Sequence, residues 1–150
     1  MANSSDVVVG IDDTPTSVSA LHHAASEAAL RGVGLRAIHV WHYPSTWGVP
    51  LKWPAEANPG QFVLQRLTEL VDHVQAARAD GGEPVVNISV EVIEGDTEHE
   101  LRAAAKDAPV LVLGQRHHRG AAVTILGSVS TALAARPPCP LMIVPADEHD

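Results

Sequence analysis

Five short apolar runs recur along this chain, and each successive pair is separated by a stretch with helical spacing. The runs are residues 6–12 (DVVVGID), 35–41 (LRAIHVW), 85–93, 110–113 (VLVL) and 141–144 (LMIV). The first is dense in valine and does not alternate between apolar and polar residues, as expected of a strand buried on both faces. In the third, Ile88, Val90 and Val92 fall on one face. Between the first two runs, Thr14 can cap a helix and Pro15 can open it. Val18, Leu21, Ala25 and Ala28 then recur at three- and four-residue steps, and Arg31-Gly32 closes it. Residues 61–80 carry an apolar stripe of Val63, Leu67, Leu70, Val74 and Ala77, ended by Gly81-Gly82 and Pro84. Thr97 and Glu100 stand at capping-box spacing before Leu101, Ala104 and Ala105, so a third helix is expected to run towards Pro109. A fourth is expected over 129–136. The order β-α-β-α-β-α-β-α-β predicts an α/β fold with a parallel sheet covered by helices on both faces and right-handed crossovers.

The 150 residues suit one α/β domain. Residues 1–5 and 146–150 read as tails, and 42–59 as a long loop. That loop holds Trp47, Trp53 and four prolines; a lid, a partner surface and a plain excursion are all open readings. A net charge of −8 argues against a broad nucleic-acid footprint. A lone cysteine, Cys139, excludes an internal disulfide, suits a reducing compartment and reads as inert packing. The start MANSSDVVVG has no basic region or long apolar core, and no run approaches the ~20 residues of a membrane span. A cytoplasmic, soluble protein is expected.

Ligands of parallel sheets bind beyond the carboxyl ends of the strands, where strand order reverses. The stretch 110–130, VLVLGQRHHRGAAVTILGSVS, supplies a strand, Gly114, a basic loop and then Gly127-Ser128 before a helix. Glycine lets backbone N–H groups approach an anion, and a helix start presents unpaired donors and the positive end of its dipole. Ser128 can be a ligand donor, an N-cap, or both. If the first and fourth strands are neighbours, Asp12 and Gly114 face one crevice. Nine histidines show no zinc-site spacing, so no metal site is expected. There is no G-x-S-x-G elbow and no P-loop lysine, so no catalytic residue is expected.

Four stretches match a known pattern: VVVGIDDTPTSVSAL, IHVW, the Glu94-Gly95-Asp96 turn, and LGSVSTALAARPPCPLMIVP. Together they make the chain resemble the universal stress protein family along nearly its full length. The resemblance implies five parallel strands in the order 3-2-1-4-5, doubly wound, in the manner of adenine-nucleotide alpha-hydrolases. It also implies a homodimer through the last strand, residues 141–144, and ATP binding, with Mg²⁺ arriving on the phosphates. The family motif is G-x2-G-x9-G-[ST]. Gly114 matches its first glycine, and Gly127 and Ser128 its last pair. His117 stands at the second glycine, and the glycine pair two residues later is half lost as Arg119-Gly120.

Carried over position by position, Gly10, Ile11 and Asp12 lie on the adenosine side and Val40 lines the adenine pocket. Leu113 and Gly114 run along ribose and phosphates. Arg116 adds a donor in the loop, with His117, His118 and Arg119. Gly127, Ser128, Val129 and Ser130 hold phosphates at the helix start. The implied function is stress-response ATP binding, acting by binding rather than catalysis. The alternative is a nucleotide-free, dimeric interaction module, because His117 crowds the phosphate site. An alpha-hydrolase-type enzyme is disfavoured: its pyrophosphate loop would be Asp12-Asp13-Thr14-Pro15, acidic and without glycine.

Overall fold

The computed structural model describes residues 5–12, 14–42, 59–115 and 127–145, together with the backbone of 45–46 and 49–50. In chain order its elements are β1 (Val7–Gly10), α1 (Pro15–Arg31), β2 (Leu35–Trp41), β3 (Ser45–Thr46), β4 (Val49–Pro50), α2 (Pro59–Asp80), β5 (Ile88–Glu94), α3 (Thr97–Ala104), β6 (Leu111–Gly114), α4 (Ser128–Ala135) and β7 (Leu141–Val144).

The valines of β1 have no solvent exposure, because this strand is central: β2 pairs with it on one side and β6 on the other, both parallel. Val8 sits opposite Arg36 and Leu111. β5 extends the sheet beyond β2, and β7 extends it beyond β6, giving the order β5-β2-β1-β6-β7. Counting only strands of this sheet, that is 3-2-1-4-5, all parallel. β3 and β4 form a separate two-stranded antiparallel ribbon within the stretch expected to be a loop.

Successive strand residues point to opposite faces, so two cores form. Val7, Val9, Leu35, Ala37, Val110 and Val112 pack with the inner faces of α1 and α2. Val8, Ile38, Val40, Leu111 and Leu113 pack with Leu101 of α3 and Leu133 of α4. The inner face of α1 is mostly alanine (Ala20, Ala24, Ala25, Ala28), which lets the helix lie close to the sheet. α1 closes at Gly32, whose φ of 66° is the left-handed conformation that glycine adopts without strain.

Several boundaries differ from expectation. The third sheet strand begins at Ile88 rather than 85: Val85 is 91% exposed, and the Val86 carbonyl accepts from Gln75 Nε2 at 2.7 Å. The α2 stripe ends on Arg78, not Ala77. Arg78 is buried, donates to Ser26 Oγ on α1 at 3.0 Å and pairs with Glu83 at 2.5 Å. The cap of α3 is Asp96, whose side chain accepts from His99 N at 3.0 Å, and the helix stops at Ala104, short of Pro109. Gly127, not Ser128, is the N-cap of α4, and Ser128 is its first residue. Arg36 on β2 grips Glu91 on β5 with Nε and Nη2, and donates to the Ala104 carbonyl at the end of α3 at 3.1 Å. The Glu91 hydrogen bond raises the pKa of Arg36.

Candidate functional site

β1 is where strand order reverses: the chain leaves it for β2 and β5 on one side, then returns to β6 and β7 on the other. Beyond the carboxyl ends of β1, β2 and β6 lies a cleft, as expected of such a switch point. Gly10, Ile11, Asp12, Val40, Leu113, Gly114, Val129 and Ser130 line it. These are eight of the eleven positions singled out from sequence. Gly127 and Ser128 stand at the start of α4 but are not in the lining, and Arg116 lies outside the described residues. So do Asp13, the histidines and Arg119 of the motif loop, and both loop tryptophans.

The wall formed by the second core is apolar: Ile38, Val40, Leu101, Leu113 and Val129. The opposite wall is polar and is built on the first turn of α1. Asp12 Oδ1 accepts from the Thr14 backbone N–H at 2.9 Å, from Ser17 Oγ at 3.0 Å and from the Thr14 hydroxyl. Its own N–H donates to Ser17 Oγ at 2.8 Å. Thr14 is the N-cap of α1 by position, but its hydroxyl is turned back to Asp12 and makes no cap bond. The carboxylate is therefore fixed before any ligand arrives. Ser17 is 4% exposed, so this bond pair is shielded from competing water.

Gly114 has a reason to be glycine that involves no phosphate. A Cβ there would lie 2.7 Å from Thr16 Cγ2 and 3.2 Å from the Thr16 carbonyl oxygen. The end of β6 touches the first turn of α1, and only a missing side chain permits it.

Seven lining residues were not singled out from sequence: Thr14, Thr16 and Ser17 at the start of α1, Ile38 and His39 on β2, and Thr97 and Leu101 on α3. The spacing from Asp12 to Ser17 crosses a strand end and a helix start, so no periodic template contains it. His39 had a legible signal in its place beside Val40 at a strand end. Its Nδ1 lies 2.8 Å from the Ile11 carbonyl oxygen.

Among the described lining residues there is no lysine or arginine, and Asp12 is the sole carboxylate. No group of three metal-ligating side chains occurs among the described residues. A nucleoside suits this lining: an apolar slot for a base, with hydroxyls and one carboxylate across from it.

The model of the Universal stress protein family matches residues 4–145. The chain belongs to that family. A universal stress protein of Mycobacterium tuberculosis strain H37Rv is 28% identical over 152 residues, which cover 95% of this chain and 48% of the relative. This chain thus spans about half the length of the curated relatives it matches. Among solved structures, a universal stress protein in complex with cAMP superposes with a TM-score of 0.62 at 22% identity, covering 93% of this chain and 95% of that one. One from Archaeoglobus fulgidus in complex with dAMP also gives 0.62, at 17% identity, covering 93% and 97%. At these identities the likeness establishes the fold. Members of the universal stress protein family thus include adenine-nucleotide complexes on this architecture. No helix among the described residues is long and apolar enough to cross a membrane.

Proposed function

We propose that this universal stress protein domain binds an adenine nucleotide in the cleft at the switch point and acts through that binding rather than through catalysis. The observation that carries the reading is the pairing of an apolar slot (Ile38, Val40, Leu101, Leu113, Val129) with a carboxylate, Asp12, already fixed by Thr14 and Ser17. The base would occupy the slot, with Gly10, Ile11 and Asp12 beside it. Gly114 and the first turn of α4, with Val129 and Ser130, would face the ribose and the first phosphate. Gly127 and Ser128 are assigned to the outer phosphates by the family motif, and Arg116 would add a donor beside them. Mg²⁺ would be held by the phosphates of ATP. The cAMP and dAMP complexes of the relatives support the ligand class. A ligand that prefers one conformation shifts the population by its differential affinity, which is how such a protein would signal in a stress response. A homodimer in the cytoplasm through β7 belongs to the same reading.

A second reading is an interaction module that has lost nucleotide binding. It is favoured by His117 at a motif glycine and by the absence of lysine and arginine from the described lining. Calorimetric titration with ATP and Mg²⁺, on the wild type and on His117→Gly, separates the two. Binding by the wild type is expected. Binding by His117→Gly alone would establish the second reading, and binding by neither up to millimolar nucleotide would overturn the first.

A further inference from the structure

His39 has two ring nitrogens in different circumstances. Nδ1 faces the Ile11 carbonyl at 2.8 Å. A carbonyl oxygen accepts and cannot donate, so the proton sits on Nδ1 and neutral His39 is the Nδ1–H tautomer. Nε2 then carries a bare lone pair. None of the described residues bonds to it. It is not a buried orphan either: the one buried side-chain nitrogen or oxygen without a partner among the described residues is Arg78 Nε. Since His39 lines the cleft, its Nε2 is an accessible acceptor there, on a ring whose orientation is set by a backbone bond. Asp12 Oδ1, beside it in the cleft, already takes three donors.

We infer that His39 Nε2 is a specificity-determining acceptor, receiving a hydrogen bond from a donor on the bound nucleoside, either the exocyclic amine of the base or a ribose hydroxyl. This rests on the adenine-nucleotide reading above. In the neutral ring the Nδ1–H bond to Ile11 leaves Nε2 as an acceptor, so a ligand lacking the matching donor leaves the lone pair desolvated and unpaired. That penalty is what makes hydrogen-bonding sites selective. The same bond ties β2 to the residue before Asp12, so two functions of the ring must be separated by experiment.

Asparagine does this. Its amide can donate to the Ile11 carbonyl from the Nδ1 position, but it has no atom at Nε2. The test is a titration of wild type and His39→Asn with AMP, IMP, 2′-deoxy-AMP and 3′-deoxy-AMP, arranged as double-mutant cycles. The wild type should bind one of the three analogues about three- to tenfold more weakly than AMP, the scale of one net hydrogen bond. His39→Asn should lose the same factor for AMP and show no further loss for that analogue. IMP being the weak one identifies the amine, and a deoxy analogue identifies the hydroxyl. Equal affinity of the wild type for all four, or unchanged AMP affinity in His39→Asn, would overturn the inference while leaving the nucleotide reading intact. Absence of AMP binding by the wild type would sink both. A ¹⁵N spectrum of the wild-type imidazole gives a check independent of any variant's folding. The Nδ1–H tautomer should be present without ligand, and the Nε2 resonance should move when AMP is added; a stationary resonance would overturn the inference.

Discussion

Gly10 and Gly114 end neighbouring strands at one cleft, yet they differ in what surrounds them. A Cβ on Gly10 would come 2.8 Å from Leu113 Cδ2 and 3.3 Å from Leu101 Cδ1, which are the far ends of flexible side chains. A Cβ on Gly114 would press on Thr16 Cγ2 and on the Thr16 backbone carbonyl, and the carbonyl moves only if α1 moves. Gly114→Ala should therefore destabilise by roughly 1–3 kcal/mol, the usual cost of overpacking, and Gly10→Ala by less. Urea unfolding of the two variants checks the order. Equal costs would show that the α1 contact is not the constraint. At the same scale, burial lowers the pKa of His22 from 6.5, and the buried Arg78 guanidinium lowers it further. Glu83 opposes the shift, while His23 and His73 add to it. A histidine with a depressed folded pKa is protonated more readily in the unfolded chain. Its contribution to stability is complete above about 6.5 and is lost as pH falls through the folded value. The urea midpoint should drop between pH 7 and 5, and His22→Gln should flatten that drop. A profile that His22→Gln leaves unchanged would assign the acid response to another group.

At the scale of elements, the sequence pattern located helices and strands well and their caps poorly. α1 and β2 have the boundaries that Thr14-Pro15, Gly32 and the run LRAIHVW imply. The caps of α3 and α4 each lie one residue earlier than expected, at Asp96 and Gly127. In each case two adjacent residues are both able to cap, and the choice is made by where the preceding chain is held. Before α3, the Gly95 N–H bonds to the Trp41 carbonyl at 2.9 Å, so the chain is still tied to the sheet at Gly95 and Asp96 is the first residue free to cap. No local pattern encodes that bond. Asp96→Ala should cost about 1 kcal/mol, and Thr97→Ala much less. Thermal unfolding of the pair would expose an error if the order were reversed. α2 teaches the same lesson. Its stripe predicted an apolar end, and the buried position is instead Arg78, held by Ser26 of the facing helix and by Glu83. The polar wall of the cleft was equally opaque, because Ser17 meets Asp12 across the junction between two elements. Its apolar wall was largely legible, since Val40 and Leu113 are strand-end residues with a motif around them.

For the molecule as a whole, alternation of strand and helix is enough to imply a parallel sheet, but it does not set strand order. That depends on which way each crossover turns, and helix patterns are silent on it; the order 3-2-1-4-5 came from the family resemblance. The same order puts β7 at an edge. Pro140 and Val144 turn their carbonyls to β6, so by alternation Leu141 and Ile143 present their backbone groups outward. If β7 is the dimer strand, sedimentation should give twice the 15.8 kDa of one chain, and Ile143→Pro should release monomers without removing a bond to β6. A wild type that sediments as one chain at 100 µM (about the scale of weak dimers) would refute the dimer.

The pairing of Val8 with Leu111 has a consequence for how this protein is made. β1 leaves the ribosome well before β6, one of its two neighbours. At about 5–20 residues per second, the wait between them is roughly 5–20 s. During that time one side of the valine strand has no partner in its own chain. β2 can pair with its other side, and β5 then extends the sheet beyond β2. The nascent chain passes through a half-sheet with an uncovered, strongly apolar border. Its yield in the cell should therefore respond to translation speed and to chaperones that bind extended apolar segments, more than the stability of the finished fold would suggest.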